Sequence, residues 1–277
     1  MKQVRRVREV LRVRKVRVQG VRCVRWVHAC VVVLALAFAS ATLYAQGRGG
    51  AAQAPATPRA AAPFDLTGNW VSVVTEDWRW RMVVPKKGDY SSVPLNAAGR
   101  KAADTWDPAQ MAQDGCKPYG AAAVMRVPGR LRISWENDAT LRIDTDAGMQ
   151  TRRLNFDVPK PAPVERSWQG QSTAAWDLIR NPGGLGVSLQ IAPPRTGALK
   201  VVTRNLRAGY LRRNGVPYSE NAVVTEYFDR LNAYDNDWMT VLTIVEDPAY
   251  LDQPFITSSH FKREADTSKW SPSPCER

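Results

Sequence analysis

Histidine is scarce in this sequence, with two residues among 277. His28 lies in a basic N-terminal stretch, so His260 is the only histidine in the rest of the chain. One histidine excludes the multi-histidine sites that hold zinc or copper. The sequence also lacks a Walker loop, a dinucleotide-binding fingerprint and the hydrolase pattern G-x-S-x-G. We therefore predict no metal and no cofactor.

After residue 45, the basic residues do not form long runs. Residues 1–45 contain ten of the 39 Lys/Arg residues and one of the 26 Asp/Glu residues. The remainder therefore has 29 basic and 25 acidic residues, although the whole chain has a net charge of +13. It contains no basic cluster of the kind that tracks a phosphate backbone. We predict no nucleic-acid partner, and the sequence does not indicate an oligomeric state.

The first 45 residues have the composition of a secretory signal. A basic segment precedes the stretch "ACVVVLALAFASATLYA" (Ala29–Ala45), whose 17 residues carry no charge. We predict a bacterial periplasmic or secreted protein, cleaved near Ala45, which meets the membrane only through this segment during export. Because the run approaches the length of a membrane span, a retained anchor is the alternative.

Only two cysteines, Cys116 and Cys275, follow the predicted signal. Two thiols in an exported protein can pair in an oxidising compartment. We predict a disulfide between them, and two unpaired thiols are the alternative.

The remaining chain predicts a linker and one β-rich domain. Residues 46–63 are rich in Gly, Ala and Pro and predict a disordered linker, followed by a single domain over 64–277. The stretches "RLRISWE", "TLRIDTD" and "MQTRRLNF" (130–156) alternate apolar and polar residues and predict a three-stranded meander. One helix is predicted over 95–107, with Asn96 as its cap. Long Pro/Gly-rich loops are predicted near 158–171 and 181–197.

The overall pattern of strands predicts an all-β fold, either an antiparallel barrel or a sandwich. Within it, "TEDWRWRM" (75–82) alternates Trp and Arg. We interpret it as strand with Trp78 and Trp80 facing the core and Arg79 and Arg81 in solvent. The alternative places the arginines inward, where they would neutralise Glu226 and Glu246.

The stretch "DLTGNW" (65–70) resembles the Gly-x-Trp opening strand of lipocalin-like barrels, in which the tryptophan closes one end. Several longer stretches resemble a group of secreted bacterial proteins of unknown function. They are "TEDWRWRM", "CKPYGAAAVMRVPGRLRISW", "TLRIDTDAGMQTRRLNF" and "TEYFDRLNAYDNDWMTVLTIVEDPAYLDQPF". The resemblance implies export, a lipocalin-like β-barrel and no known cofactor, and it implies no activity.

Two carboxylates lie on otherwise apolar strand faces. Glu226 alternates with Val224 and Phe228, and Glu246 alternates with Leu242 and Ile244. A carboxylate in such a position is costly unless it is paired or faces a wet cavity. If the protein is an enzyme, Glu226, Glu246 and His260 are its candidate catalytic residues; a structural ion pair is the alternative.

Three functions remain open. The first is an exported barrel that binds a small, mostly apolar molecule. Its candidate ligand-binding residues are Trp78, Trp80, Arg126, Trp135, Tyr218 and Glu226. The second is a cofactor-free hydrolase, isomerase or cyclase, and the third is an envelope interaction module without a pocket. A small-molecule ligand is the partner that we expect.

Overall fold

A computed structural model of the protein describes residues 56–110, 115–156, 165–178 and 197–275. The predicted signal and the first ten residues of the predicted linker lie outside these described residues. So do most of the residues of the predicted Pro/Gly-rich loops. The described strands are β1 Gly68–Val73, β2 Arg130–Asn137, β3 Thr140–Thr145, β4 Ala147–Gly148, β5 Thr151–Asn155, β6 Gln171–Leu178, β7 Gly197–Arg204, β8 Gly209–Arg212, β9 Val216–Tyr218, β10 Val223–Ala233, β11 Asn236–Glu246, β12 Phe255–Glu264 and β13 Ser273–Pro274.

Nine of these strands form a closed barrel, which confirms the predicted all-β barrel. Their order is β1-β12-β11-β10-β7-β6-β5-β3-β2, and β2 pairs with β1 to close the ring. Neighbours are antiparallel except β5 and β6, which run parallel over two residue pairs. The meander of β2, β3 and β5 was predicted correctly. The remaining strands form two small sheets, β8 with β9 and β4 with β13.

Two short α-helices lie between β1 and β2. Helix α1 is Trp78–Arg81 and helix α2 is Ala97–Asp104. Helix α2 confirms the helix predicted over 95–107, because the Asn96 side chain accepts a hydrogen bond from the Gly99 amide at 2.8 Å. Single 3-10 turns follow at Pro108–Gln110, Lys117–Tyr119 and Val124–Arg126.

The strand predicted across "TEDWRWRM" is wrong. Strand β1 ends at Val73, and Asp77 adopts a left-handed backbone with φ 52° before α1 begins. Trp78 is 64% exposed, whereas Arg81 is 4% exposed. The alternation of eight residues was too short to separate a strand from a helical turn, and the buried Arg81 side chain finds polar partners.

A polar layer separates two apolar clusters, one inside the barrel and one that joins the end of the barrel to α2, β8 and β9. On β10, Phe228 belongs to one cluster, Val224 belongs to the other, and the inward-facing Glu226 lies between them. The layer consists of the buried side chains of Arg152, Ser172, Thr203, Glu226, Thr243, Thr257 and Ser259. Trp70 is fully buried in the first cluster, and its indole donates to the Leu66 carbonyl at 2.9 Å. The inward side chains of the described strands therefore pack against one another.

The first cluster ends in a partly buried aromatic group formed by Phe64, Trp135, Phe156 and Trp176. Neighbouring ring centroids in this group are 5.5 to 5.6 Å apart. The Trp176 indole donates to the Pro58 carbonyl at 2.8 Å, so residues 56–63 contact the barrel. The predicted disordered linker is therefore too long at its C-terminal end.

Cys116 and Cys275 form a disulfide with their Cα atoms 5.1 Å apart, which confirms the predicted pairing. The bond attaches the C-terminal segment to the chain ahead of the Lys117–Tyr119 turn. None of the helices in the described part of the chain has the length and apolarity that a membrane-spanning helix needs.

Candidate functional site

The candidate site is a small cavity at the end of the barrel beside Phe255, which we call the arginine pocket. Its volume is about 30 Å³. Three buried arginines and one tryptophan define it: Trp80, Arg81, Arg126 and Arg212. The remaining wall is formed by Pro118, Ala123, Val127, Pro128, Leu211 and Arg213.

The pocket is assembled by three segments that are distant in sequence. Helix α1 supplies Trp80 and Arg81, the 3-10 turn Val124–Arg126 supplies Arg126, and β8 supplies Arg212. Such an assembly fixes the guanidinium groups before any ligand arrives, because each lies on a hydrogen-bonded element.

Arg81 is fully engaged by its own chain. Its Nη1 pairs with Glu76, its Nε donates to the Arg126 carbonyl at 2.8 Å, and its Nη2 donates to Ser72 Oγ at 3.3 Å. Burial lowers the pKa of Arg81, and the Glu76 carboxylate offsets part of that effect. Arg81 therefore holds the pocket wall together, and its nitrogens are not free for a ligand.

Arg126 and Arg212 are only partly engaged. Arg126 Nη2 donates to Asp77 Oδ2 at 2.8 Å, and its Nη1 is buried with no hydrogen-bond partner. Arg212 Nη1 donates to the Ser91 carbonyl at 2.7 Å, while its Nε and Nη2 are buried without partners. Among the described residues, no carboxylate forms an ion pair with Arg212.

The charge of Arg212 survives its burial. Desolvation, with a further contribution from the nearby Arg126, lowers the pKa of Arg212 to about 10. The guanidinium is therefore still protonated at neutral pH, and the pocket keeps its positive charge there.

Trp80 supports Arg212 from the side. The guanidinium carbon of Arg212 lies 4.7 Å from the centroid of the Trp80 ring, and that of Arg79 lies 4.8 Å from it. The Trp80 indole donates to Asp89 Oδ2 at 3.2 Å, and Asp89 also pairs with Arg79 at 2.6 Å. The cation–π contact of Trp80 with Arg212 orients that guanidinium without neutralising it.

The predicted ligand-binding residues are dispersed. Trp80 and Arg126 line the pocket, but Trp78 points into solvent, which contradicts its predicted core position. Trp135 packs against Phe156 at the end of β2 farther from the pocket. Tyr218 is fully buried, its hydroxyl is enclosed by Gly120 and Gly209, and it does not line the arginine pocket.

The three candidate catalytic residues do not converge. Glu226 faces the barrel interior, and Arg152 binds it with both terminal nitrogens, at 2.9 Å from Nη1 to Oε1. His260 is on the outer face of β12, where Thr240 Oγ1 contacts its Nδ1 at 3.1 Å and Glu76 lies 3.6 Å from its Nε2. Glu246 is exposed on the outer face of β11. Along β11 it is six residues, or about 20 Å, from the residue that pairs with His260.

The predicted inward face of β11 is therefore wrong. Val241, Thr243 and Val245 point inward, while Leu242 is 37% exposed and Glu246 is in solvent. Both faces of β11 carry aliphatic residues, so the sequence alternation could not identify the inner one. The arginines that the alternative interpretation assigned to Glu226 and Glu246 pair elsewhere.

Sequence reasoning missed the two arginines that matter most. Arg152 alternates with the buried Leu154 on β5, which was a usable signal for an inward position. Arg212 carried no comparable signal, because it precedes the Asn-Gly turn at Asn214 on a four-residue strand. In the described ranges, no group of three or more His, Cys, Asp or Glu side chains is arranged to hold a metal ion.

Comparison with known proteins found no family model and no curated protein that matches the chain. The geometry of the arginine pocket therefore carries the functional argument alone.

Proposed function

We propose that this is an exported β-barrel protein that binds a small anion, or the anionic group of a larger ligand, in the arginine pocket. One observation carries the proposal: Arg126 Nη1, Arg212 Nε and Arg212 Nη2 are buried donors without acceptors around one cavity. The disulfide supports export, because such bonds persist in oxidising compartments.

An unpaired buried charge is costly, so its presence needs a physical reason. Leaving a charged donor buried without a partner costs on the order of 1–3 kcal/mol or more. A carboxylate or phosphate in the cavity accepts hydrogen bonds from several guanidinium nitrogens at once and neutralises the excess charge. Binding of an anion therefore recovers energy that the folded chain alone does not.

The cavity supports an anionic ligand better than the apolar one predicted from sequence. A volume of about 30 Å³ accommodates a small charged group and not a whole apolar molecule. The inward side chains of the barrel strands already pack in apolar clusters, and Glu226 and Arg152 form a buried ion pair between them. A larger ligand would extend from the pocket toward solvent.

Calorimetric titration with inorganic phosphate, sulfate and acetate tests this proposal, with urea as an uncharged probe. We expect at least one anion to bind and urea not to bind. Arg212→Met should weaken anion binding by at least tenfold, because it removes both free donors of that side chain. The matched control is Arg153→Met, since Arg153 is exposed and pairs with Glu136 on the outer face.

The control variant should bind as the wild type does. Equal anion affinities for wild type, Arg212→Met and Arg153→Met would refute the pocket as the binding site. Mass spectrometry of the exported protein tests the compartment separately, because a mature N-terminus near Gln46 is expected. Recovery of the intact chain from the cytosol would contradict export.

A further inference from the structure

Four exposed apolar side chains lie on helix α1 and directly after it. Trp78 is 64% exposed, Met82 56%, Val83 60% and Val84 36%. The Met82 amide donates to the Trp78 carbonyl at 2.8 Å, so these two residues are one helical turn apart on the same side of α1. We call Trp78, Met82, Val83 and Val84 the apolar tip.

The backbone on both sides of the apolar tip is fixed. On one side, Arg81 is buried and bound to Glu76 and to the Arg126 carbonyl. On the other, Asn214 Nδ2 donates to the carbonyls of Lys86 and Asp89, at 3.0 Å each. The tip therefore cannot bury its side chains without breaking these contacts, and large exposed apolar groups on a fixed segment indicate an interaction surface.

Positive charge follows the tip directly. Lys86 and Lys87 are exposed, and within the described ranges neither forms an ion pair. A tryptophan with aliphatic neighbours and adjacent lysines matches the two layers of a membrane interface, acyl chains below and anionic headgroups above. A purely apolar protein partner would not use the lysines.

We propose that the apolar tip docks the protein on an anionic lipid surface, with Trp78 and Val83 entering the interface and Lys86 and Lys87 contacting headgroups. This docking is independent of the arginine pocket, because α1 presents Trp80 and Arg81 to the pocket and Trp78 to solvent.

A second exposed apolar site provides a matched control. Leu231 and Tyr234, 61% and 92% exposed, lie at the hairpin between β10 and β11. Asp229 and Asp235 lie nearby, and Asp237 pairs with Arg230 and Arg263. This hairpin has comparable apolar exposure but no lysine in either of its strands, so an anionic surface should not recruit it.

The test is vesicle co-sedimentation with the protein that cells export after expression of the full chain. Vesicles of phosphatidylcholine alone are compared with vesicles that contain phosphatidylglycerol. Wild type should bind the anionic vesicles and release at high salt. Trp78→Ser/Val83→Ser should bind at least tenfold more weakly, and each of Lys86→Gln and Lys87→Gln about fivefold more weakly.

Two variants should keep wild-type vesicle binding: Leu231→Ser/Tyr234→Ser and Arg212→Met. Circular dichroism establishes that each variant folds, and the lysine variants test the surface even if the Trp78→Ser/Val83→Ser protein does not fold. Absence of binding by wild type, or equal binding by tip, lysine and hairpin variants, would overturn the proposal. So would loss of binding in Arg212→Met alone, or a wild-type dimer that the tip variant abolishes without any vesicle binding.

Discussion

Arg152 and Arg212 are both buried arginines of this protein, and they differ in what surrounds them. Arg152 and Glu226 lie inside the barrel with fully buried side chains, joined by two hydrogen bonds. Arg212 lies at the end of the barrel, buried to a similar degree, with one hydrogen bond to a backbone carbonyl and no paired carboxylate.

In our proposal, this difference separates a structural charge from one that binds a ligand. The chain supplies the counter-ion for Arg152, so that pair is closed in charge, although Arg152 Nε is also buried without a hydrogen-bond partner. Two nitrogens of Arg212 have no acceptors among the described residues and belong to a side chain that lines a cavity, so in our proposal a bound anion completes them. Neither burial nor an unpaired nitrogen distinguishes the two arginines, because both share them, whereas a paired carboxylate is present only for Arg152.

The largest effect is expected when the closed pair is broken. Glu226→Leu leaves Arg152 as an uncompensated buried charge, which should lower the free energy of unfolding by about 3–5 kcal/mol. Urea denaturation followed by circular dichroism measures this change. The double variant Arg152→Leu/Glu226→Leu should recover most of the loss. A Glu226→Leu protein as stable as wild type would show that the pair does not hold a charge in the interior.

Removal of Arg212 should instead raise the free energy of unfolding. Arg212→Met deletes an unpaired buried charge, so in buffer free of binding anions we expect the free energy of unfolding to rise by about 1–2 kcal/mol. The companion variant Arg152→Met should instead lose stability, because it strands Glu226.

Anions should reverse the ranking of Arg212→Met and wild type. At an anion concentration one hundred times the dissociation constant, wild type should gain about 2.7 kcal/mol, and the variant should gain little. Destabilisation by Arg212→Met in anion-free buffer would contradict our view that this side chain is incompletely satisfied.

Two tyrosines show the same contrast between a polar group with a hydrogen-bond partner and a buried one without. The Tyr90 hydroxyl donates to Asp104 Oδ1 at 2.8 Å, whereas the Tyr218 hydroxyl is buried with no partner. Tyr90→Phe should lower the free energy of unfolding by about 1 kcal/mol, and Tyr218→Phe should leave it unchanged or raise it slightly. Thermal melts of the two variants measure this. A larger loss for Tyr218→Phe would reveal an acceptor for its hydroxyl.

The smallest effect concerns pH. Because burial lowers the pKa of Arg212 only to about 10, the pocket should bind anions equally well at pH 6 and pH 8. The stability penalty of this group is complete below the folded pKa and is relieved as the pH rises from about 10 toward the ordinary pKa of arginine, since the unfolded chain then holds more protons. Titration calorimetry with sulfate, whose charge is constant between pH 6 and 8, measures the affinity. A steep fall in affinity over that range would implicate another group.

The Arg152–Glu226 pair could be predicted in part from the sequence. The eleven residues of β10 alternate clearly, so the inward position of Glu226 was predicted correctly, and a paired carboxylate was among the expected outcomes. Its partner could not be identified, because Arg152 is 74 positions away and lies on a strand separated from β10 by β6 and β7. Local patterns define the face of a strand but not which strands meet across a barrel.

The arginine pocket around Arg212 could hardly be predicted from the sequence. The pocket depends on α1, where a strand-like alternation forms a helical turn, and on Arg212, which no periodic pattern distinguishes. The disulfide was predicted because only two cysteines follow the predicted signal, and that reasoning needs no geometry. Sites assembled from short, irregular segments depend on tertiary contacts that the sequence does not display locally.

The seam between β1 and β12 also has a kinetic consequence. This pair joins residues 69–73 to residues 260–264, so the ring cannot close until nearly all of the 277 residues are available. Contacts between such distant segments make folding slow, because the entropy of ordering a long loop must be lost before the pairing compensates for it. While it is being synthesised, the chain therefore exposes the unpaired strand edge of β1 until β12 is available to cover it.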